Sequence, residues 1–226
     1  KKKSKSTYRK KPYRRNLFLL GFIFGFGFYL SGIFWISYSL TFDNNFKILI
    51  PFALILIPFF LSIFTGLTTL IAGQYLNNNF VSILIFSGSL ALSDFVRGKV
   101  LTGFPWNVWG YSWSWFTEIL QTLNILGLYA FNLLAITIFT IPAALFFKSS
   151  FNNKILTSGI TIIFIFALYI YGTYSLNKNN DFLYYFEGKN KFHVKIISPN
   201  FDLKYGLSKK EIEKRLINLI RYSEPD

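Results

Sequence analysis

From Leu17 to Leu176 long apolar runs alternate with short polar breaks, and the whole stretch holds eight charged residues: Asp43, Lys47, Asp94, Arg97, Lys99, Glu118, Lys148 and Lys154. A hydrocarbon core about 30 Å thick needs about 20 apolar helical residues. Five segments approach that length, at 17–40, 48–71, 80–96, 125–147 and 155–176. They predict an all-α polytopic membrane bundle over 17–176. The third run is shorter and holds Asp94 near its end, so it reads as a short span or a re-entrant segment. Gly21 and Gly25 stand in GxxxG spacing, followed by Gly32, which predicts close helix packing. Pro51 and Pro58 are expected to bend the second span, and Asn132 and Pro142 lie inside the fourth.

The pattern changes after Leu176. Residues 177–191 are polar and read as a linker. "FHVKIIS", 192–198, alternates apolar and polar positions as a strand does. In "SKKEIEKRLINLI", Ser208 and Glu211 have capping-box spacing, and Ile212, Leu216, Leu219 and Ile220 share one helical face. Strand, loop and amphipathic helix look like the opening of an α/β domain over 192–226. One strand and one helix cannot close a core alone, so this start is expected to be incomplete.

Charge refines the picture. The chain carries +14, but "KKKSKSTYRKKPYRR" holds nine positive residues and no acid. A basic cluster before an apolar span is what the positive-inside rule expects of a cytoplasmic flank, here residues 1–16. Such a cluster also attracts anionic headgroups. Without a stacking platform or recognition fold beside it, nucleic acid is not an expected partner. With a cytoplasmic flank, five crossings put the loop 97–118 and everything after Leu176 on the outer face. Lys148 and Lys154 then flank an inner turn, while Arg97 and Lys99 run against the rule. Cysteine is absent, which excludes thiolate metal sites and a cysteine nucleophile within these residues. No metal or cofactor is expected. Methionine is absent too, and the chain is expected to be a fragment or a processed product.

Candidate chemistry gathers in "LSDFVRGKVLTGFPWNVWGYSWSW", residues 92–115. This stretch holds an acid, two bases and four of the five tryptophans. Asp94 and Arg97, three apart, share a helical face and read as a structural ion pair, with contact to a phosphate headgroup as the functional alternative for Arg97. Four tryptophans within ten residues fit an interfacial aromatic belt, and Trp113 and Trp115 are read as anchors. Gly103 and Pro105 shape the backbone beside Trp106. We therefore read Phe104, Pro105, Trp106 and Tyr111 as candidates for lining a substrate entry. His193, the one histidine, is read as a strand residue.

The run "DFVRGKVLTGFPWNVWGYSWSW" resembles the signature of apolipoprotein N-acyltransferases: an acid, two residues, Arg-Gly, then Thr-Gly-Phe-Pro-Trp and a Gly-Tyr pair. "GFIFGFGFYLSGIFWIS", 21–37, is similar to that family's Gly-Phe-rich span. "VKIISPNFDLKYGLSKKE", 194–211, is similar to the opening of its extracytoplasmic nitrilase-like (carbon-nitrogen hydrolase) domain. The resemblance implies a multi-pass protein of the bacterial inner membrane. Such enzymes transfer an acyl chain from a phospholipid donor to the diacylglyceryl-cysteine of an apolipoprotein acceptor. They work through a thioester on cysteine, with a glutamate base and a lysine at the oxyanion. Those catalytic residues are expected beyond Asp226, so this chain alone should be inactive. The basic stretch is similar to a loop between spans, which implies one or two further helices before it. Asp94 stands where glutamate is usual. Tyr205 stands where tryptophan is usual, and it joins the substrate-binding candidates on that ground. Two rivals remain: a non-enzymatic transporter or scaffold, and another membrane-anchored nitrilase-like enzyme with a different amine or acyl donor. A transporter should bury ionisable residues near the midplane, whereas the five spans carry no charge but Asp94 near the end of the third, and the polar residues gather at one interface.

Overall fold

A computed structural model describes residues 8–77, 79–100, 103–147, 151–187, 195–201 and 206–223. Five helical stretches in it are long and apolar enough to cross a membrane: Lys11–Phe42, Asn44–Ala72, Phe80–Arg97, Leu123–Phe146 and Lys154–Tyr185. They coincide with the five apolar runs.

Helix α1, Lys11–Ile33, begins with Pro12 in its first turn, where a missing N–H costs nothing. It tightens into a 3₁₀ stretch, Phe34–Phe42. There Ser37, Ser39 and Thr41 each return a hydroxyl to the carbonyl three residues back. Asp43 caps a second 3₁₀ stretch, Asn44–Leu49, by accepting from the Asn45 N–H at 2.9 Å. Helix α2, Ile50–Ala72, carries Pro51 in its first turn, so Pro51 opens the helix where the sequence reading had it bend one. Pro58 lies inside, and the Ser62 hydroxyl takes up its carbonyl.

Helix α3, Phe80–Arg97, is capped by Asn79, whose side chain accepts from the Ser82 N–H at 3.1 Å. Its 18 residues make about 27 Å, close to the hydrocarbon thickness. After a 3₁₀ turn, Trp109–Trp113, and the short α4, Thr117–Leu120, comes α5, Leu123–Thr140. Gly127 leaves helical geometry inside it, at φ 71° and ψ 170°. The α-helix stops at Thr140 because Pro142 cannot donate, and the run finishes as a 3₁₀ stretch, Ile141–Phe146. Helix α6, Phe151–Glu187, runs 37 residues, about 55 Å. The segment 177–191, read from sequence as a linker, is thus helical as far as Glu187.

Among the described residues every regular element is a helix, and no strand is present. The strand expected over 192–198 does not form at 195–198, since a strand needs a pairing edge and none is present there among the described residues. Residues 192–194, His193 among them, lie outside the described residues. The α/β part of the expected fold class is accordingly not seen. The last helix, α7, Lys209–Ser223, has its capping box: the Glu211 N–H donates to Ser208 Oγ at 3.3 Å, and the Ser208 N–H donates to Glu211 Oε2 at 3.1 Å. Ile212, Leu216 and Ile220 are exposed on it.

The bundle packs through small and hydroxyl residues while large apolar side chains point outward, as in Ile23, Phe52 and Ile163. A Cβ on Gly21 or Gly25 would fall on the side chains of Thr69 or Thr65, so these two glycines are where α1 and α2 come together. Thr69 Oγ1 donates to the Leu17 carbonyl across that seam at 2.8 Å. Ser93 Oγ joins α3 to the Phe64 carbonyl of α2 at 3.2 Å, and Ser87 Oγ meets Thr140 Oγ1 of α5 at 3.0 Å. With water absent from the bilayer core, such hydroxyls find partners on neighbouring helices.

Candidate functional site

The charged residues near the end of α3 are buried. Asp94 is 3% exposed and Arg97 2%. An ion inside a membrane protein is costly unless paired. The i,i+3 spacing supplies the pair: Arg97 Nη2 lies 3.1 Å from Asp94 Oδ1. The second carboxylate oxygen, Asp94 Oδ2, accepts from Asn132 Nδ2 of α5 at 2.9 Å. Asn132 is fully buried, and its Oδ1 accepts the Gly110 N–H at 3.0 Å. Arg97 Nη1 donates to the carbonyls of Phe104 and Trp106, each at 2.8 Å. The guanidinium also lies 5.3 Å from the ring centroid of Tyr29 and 5.9 Å from that of Phe104. One buried cluster therefore joins α3, α5 and α1 to the backbone of residues 104–110.

Backbone geometry fixes the same loop. Gly103 adopts φ +77°, and a Cβ there would stand 2.6 Å from the Gly98 carbonyl oxygen, so only glycine fits. Asn107 adopts φ +60°, and its side-chain amide fills the space over Gly32. The Phe104 N–H donates to the Arg97 carbonyl at 3.1 Å. Gly32, the last glycine of the first span, thus seats the loop and does not join a helix pair.

The aromatic residues divide by environment. Trp109 stacks on Phe28 of α1 at 4.6 Å and lies 6.3 Å from Phe139 of α5, so it is a packing residue between the two spans. Trp113 stacks on the same Phe139 ring at 5.6 Å. Trp115 is 89% exposed. Trp106 is 52% exposed, with its ring edge-on to Trp35 at 6.4 Å, and Tyr111 is 45% exposed. Phe104 and Pro105 are half-buried beneath them. Trp106 and Phe104 stand at the end of the bundle where α1 passes into the Phe34–Phe42 stretch, Trp106 against Trp35 and Phe104 against the cluster of Tyr29, Ile33 and Leu61. The same end receives α6: a Cβ on Gly172 would fall on the Glu118 carbonyl, and the Tyr169 hydroxyl donates to Glu118 Oε1 at 3.4 Å. Tyr205 lies outside the described residues.

Arg97 is placed otherwise than a headgroup ligand requires. Its two terminal nitrogens are spent on Asp94 and two carbonyls, and its side chain is 1% exposed. Asn132, by contrast, was visible in the sequence only as a polar residue within an apolar span. The available signal was the cost of an unsatisfied amide in hydrocarbon, which obliges such a residue to find partners.

The family described as Apolipoprotein N-acyltransferase N-terminal domain matches residues 6–141. Relatives bearing the name apolipoprotein N-acyltransferase share the sequence. The Rickettsia bellii protein is 33% identical over 213 residues, covering 91% of this chain and 40% of that protein. The Rhodopseudomonas palustris protein is 35% identical over 128 residues, covering 56% of this chain and 24% of that one. The Rickettsia prowazekii protein is 34% identical over 160 residues, covering 70% and 32% respectively. The chain thus spans well under half the length of these curated relatives. No solved structure matches it.

Proposed function

Because the chain belongs to the apolipoprotein N-acyltransferase family, we propose that it is the membrane part of an enzyme that moves a fatty acyl chain from phospholipid to the N-terminal diacylglyceryl-cysteine of apolipoproteins. In this reading the basic flank is cytoplasmic, the loop 97–118 faces the outer side of the bacterial inner membrane, and 192–226 begins a nitrilase-like domain that sits over the loop. The 226 residues contain no cysteine, so the thioester chemistry of the family is assigned to another part of the polypeptide. The task of the membrane part is to admit and orient two lipid-anchored substrates, since holding reactants in place supplies a large share of a transfer reaction's rate.

The observation that carries this reading is the contrast within the loop. Its backbone is fixed by Arg97, Asn132 and Gly103 from below, while Trp106 and Tyr111 stand exposed above. An aromatic surface on a rigid base suits a lipid chain passing at the interface. Trp106 is the proposed contact, with Phe104, Pro105, Tyr111 and Tyr205 around it, and Asp94 and Arg97 positioning the loop. The transporter alternative calls for ionisable groups near the bilayer midplane. The buried ions here lie within the last turn of α3, at the loop end.

The test is N-acylation of a diacylglyceryl lipoprotein by the intact enzyme carrying Trp106→Ala. We expect kcat/KM to fall about tenfold or more, the loss of one well-packed aromatic contact, with normal membrane insertion. Unchanged acylation would return Trp106 to a simple interfacial anchor.

A further inference from the structure

An open crevice of about 830 Å³ separates α5 from α6. Its mouth, at Lys154, lies at the end of α6 away from Gly172, and its α5 wall runs back as far as Leu126. Its floor includes Asn79 and Phe80 at the start of α3, and its far wall begins at Lys154 at the start of α6. Both helices reach the loop only at their other ends, through Arg97 and Gly172. The lining is almost wholly apolar, with Leu134 and Ile138 on one side and Ile160 and Phe164 on the other. The threonines of the wall do not make it polar. Thr137 Oγ1 donates to the Leu133 carbonyl and Thr161 Oγ1 to the Thr157 carbonyl, both at 2.8 Å. These bonds turn the two hydroxyls onto their own helices.

Depth and charge identify the occupant. From Lys154 to Phe164 the α6 wall rises about 15 Å, half of a hydrocarbon core about 30 Å thick. The volume falls in the range of sites that hold a whole small molecule, about 300–1,000 Å³. The α5 wall is longer, about 22 Å from Ile141 back to Leu126, and a crevice of this length, apolar and open sideways between spans, matches the acyl part of one lipid. Lys154 stands at its mouth, its Nζ hydrogen-bonded to the Leu145 carbonyl at the end of the Ile141–Phe146 stretch. An ammonium held at the headgroup level attracts an anionic lipid. We propose that the α5–α6 crevice is a binding site for an anionic phospholipid of the leaflet opposite the tryptophan loop, with its acyl chains between the helices and its phosphate beside Lys154. This lipid lies on the other membrane face from the proposed reaction and is a resident of the fold, not the acyl donor.

The test uses the intact protein in vesicles doped with phosphatidylglycerol or phosphatidylcholine carrying a photoreactive group on the acyl chain. Labelled residues are read by peptide mass spectrometry and normalised to the outward-facing Ile23 and Phe52, which report ordinary boundary lipid. The expected result is label concentrated on Leu134, Ile138, Ile160 and Phe164. It should be about fivefold greater with phosphatidylglycerol, the equivalent of about 1 kcal/mol for one lysine at an anionic surface. Lys154→Glu should abolish that preference while label remains. Ala130→Phe with Thr161→Phe should remove label from the crevice and leave it on Ile23 and Phe52. Three results would overturn the proposal: crevice label no greater than at the reference positions, label with no headgroup preference, or crevice residues shielded by another segment of protein.

Discussion

Asn132 donates to Asp94 Oδ2 at 2.9 Å across 38 residues of sequence, and with its other amide atom it accepts the Gly110 N–H at 3.0 Å. The side chain is fully buried, so neither bond has water as a substitute. Asn132 therefore sets the height of the Trp109–Trp113 turn against α3, and the aromatic surface above follows from it.

Asn132→Leu keeps the volume but removes both bonds. It leaves a buried N–H and one carboxylate oxygen unpaired, at a cost of about 3 kcal/mol. Asn132→Asp should cost more, because it sets a second carboxylate against Asp94. Thermal melts in detergent should rank wild type above N132L and N132L above N132D. If N132L melts with the wild type, the amide is not holding the loop.

Arg97 offers a sharper comparison. Arg97→Ala strands the Asp94 carboxylate in a dry site, which costs about 3–5 kcal/mol. Arg97→Lys keeps the charge but loses the fork that reaches Asp94 and two carbonyls together. We expect R97A to be severely destabilised and R97K to be intermediate. The double change Asp94→Asn with Arg97→Gln should cost less than the sum of its singles, because the two charges vanish together. Additive losses in a melt series would show that the ion pair is not coupled.

These two cases mark what the sequence makes legible. The five spans are plain, because a bilayer imposes one length and one composition on any helix that crosses it. The Asp94–Arg97 pair is equally plain, since i,i+3 spacing is local. The destination of Arg97 Nη1 is not: whether it meets a headgroup or the Phe104 and Trp106 carbonyls depends on how the chain turns at Gly103. Asn132 needs a partner on any reading, but its partners are 22 and 38 residues away. Gly21 and Gly25 were readable as packing residues from their spacing, whereas Gly32 in the same series serves Asn107. Short-range patterns were visible, and contacts made by folding the loop back were hidden.

The four loop tryptophans should separate by environment. Trp109 lies between Phe28 and Phe139, so Trp109→Ala opens a hole between two spans and should cost about 3–5 kcal/mol. Trp115 is 89% exposed, and Trp115→Ala in detergent should stay within about 0.5 kcal/mol. The pair is measured by melting temperature at matched detergent. Equal losses at the two sites would mean that Trp109 does not pack as drawn.

Orientation in the membrane can be checked from the same loop. Trp115 and Tyr75 are both well exposed and lie at opposite ends of α3, in the segments that follow and precede it. The nine positive charges of the N-terminal flank carry no compensating acid. That bias favours retention of the flank in the cytoplasm, and each crossing then alternates the side. Trp115 falls outside after the third crossing, and Tyr75 falls inside after the second. Single replacements Trp115→Cys and Tyr75→Cys in the intact protein, read as labelling above the parent, distinguish the two with a membrane-impermeant maleimide. Trp115→Cys should react in intact spheroplasts, and Tyr75→Cys only after permeabilisation. The reverse pattern would put the aromatic loop in the cytosol, away from the proposed lipoprotein acceptor, and the proposed role of Trp106 would fall with it.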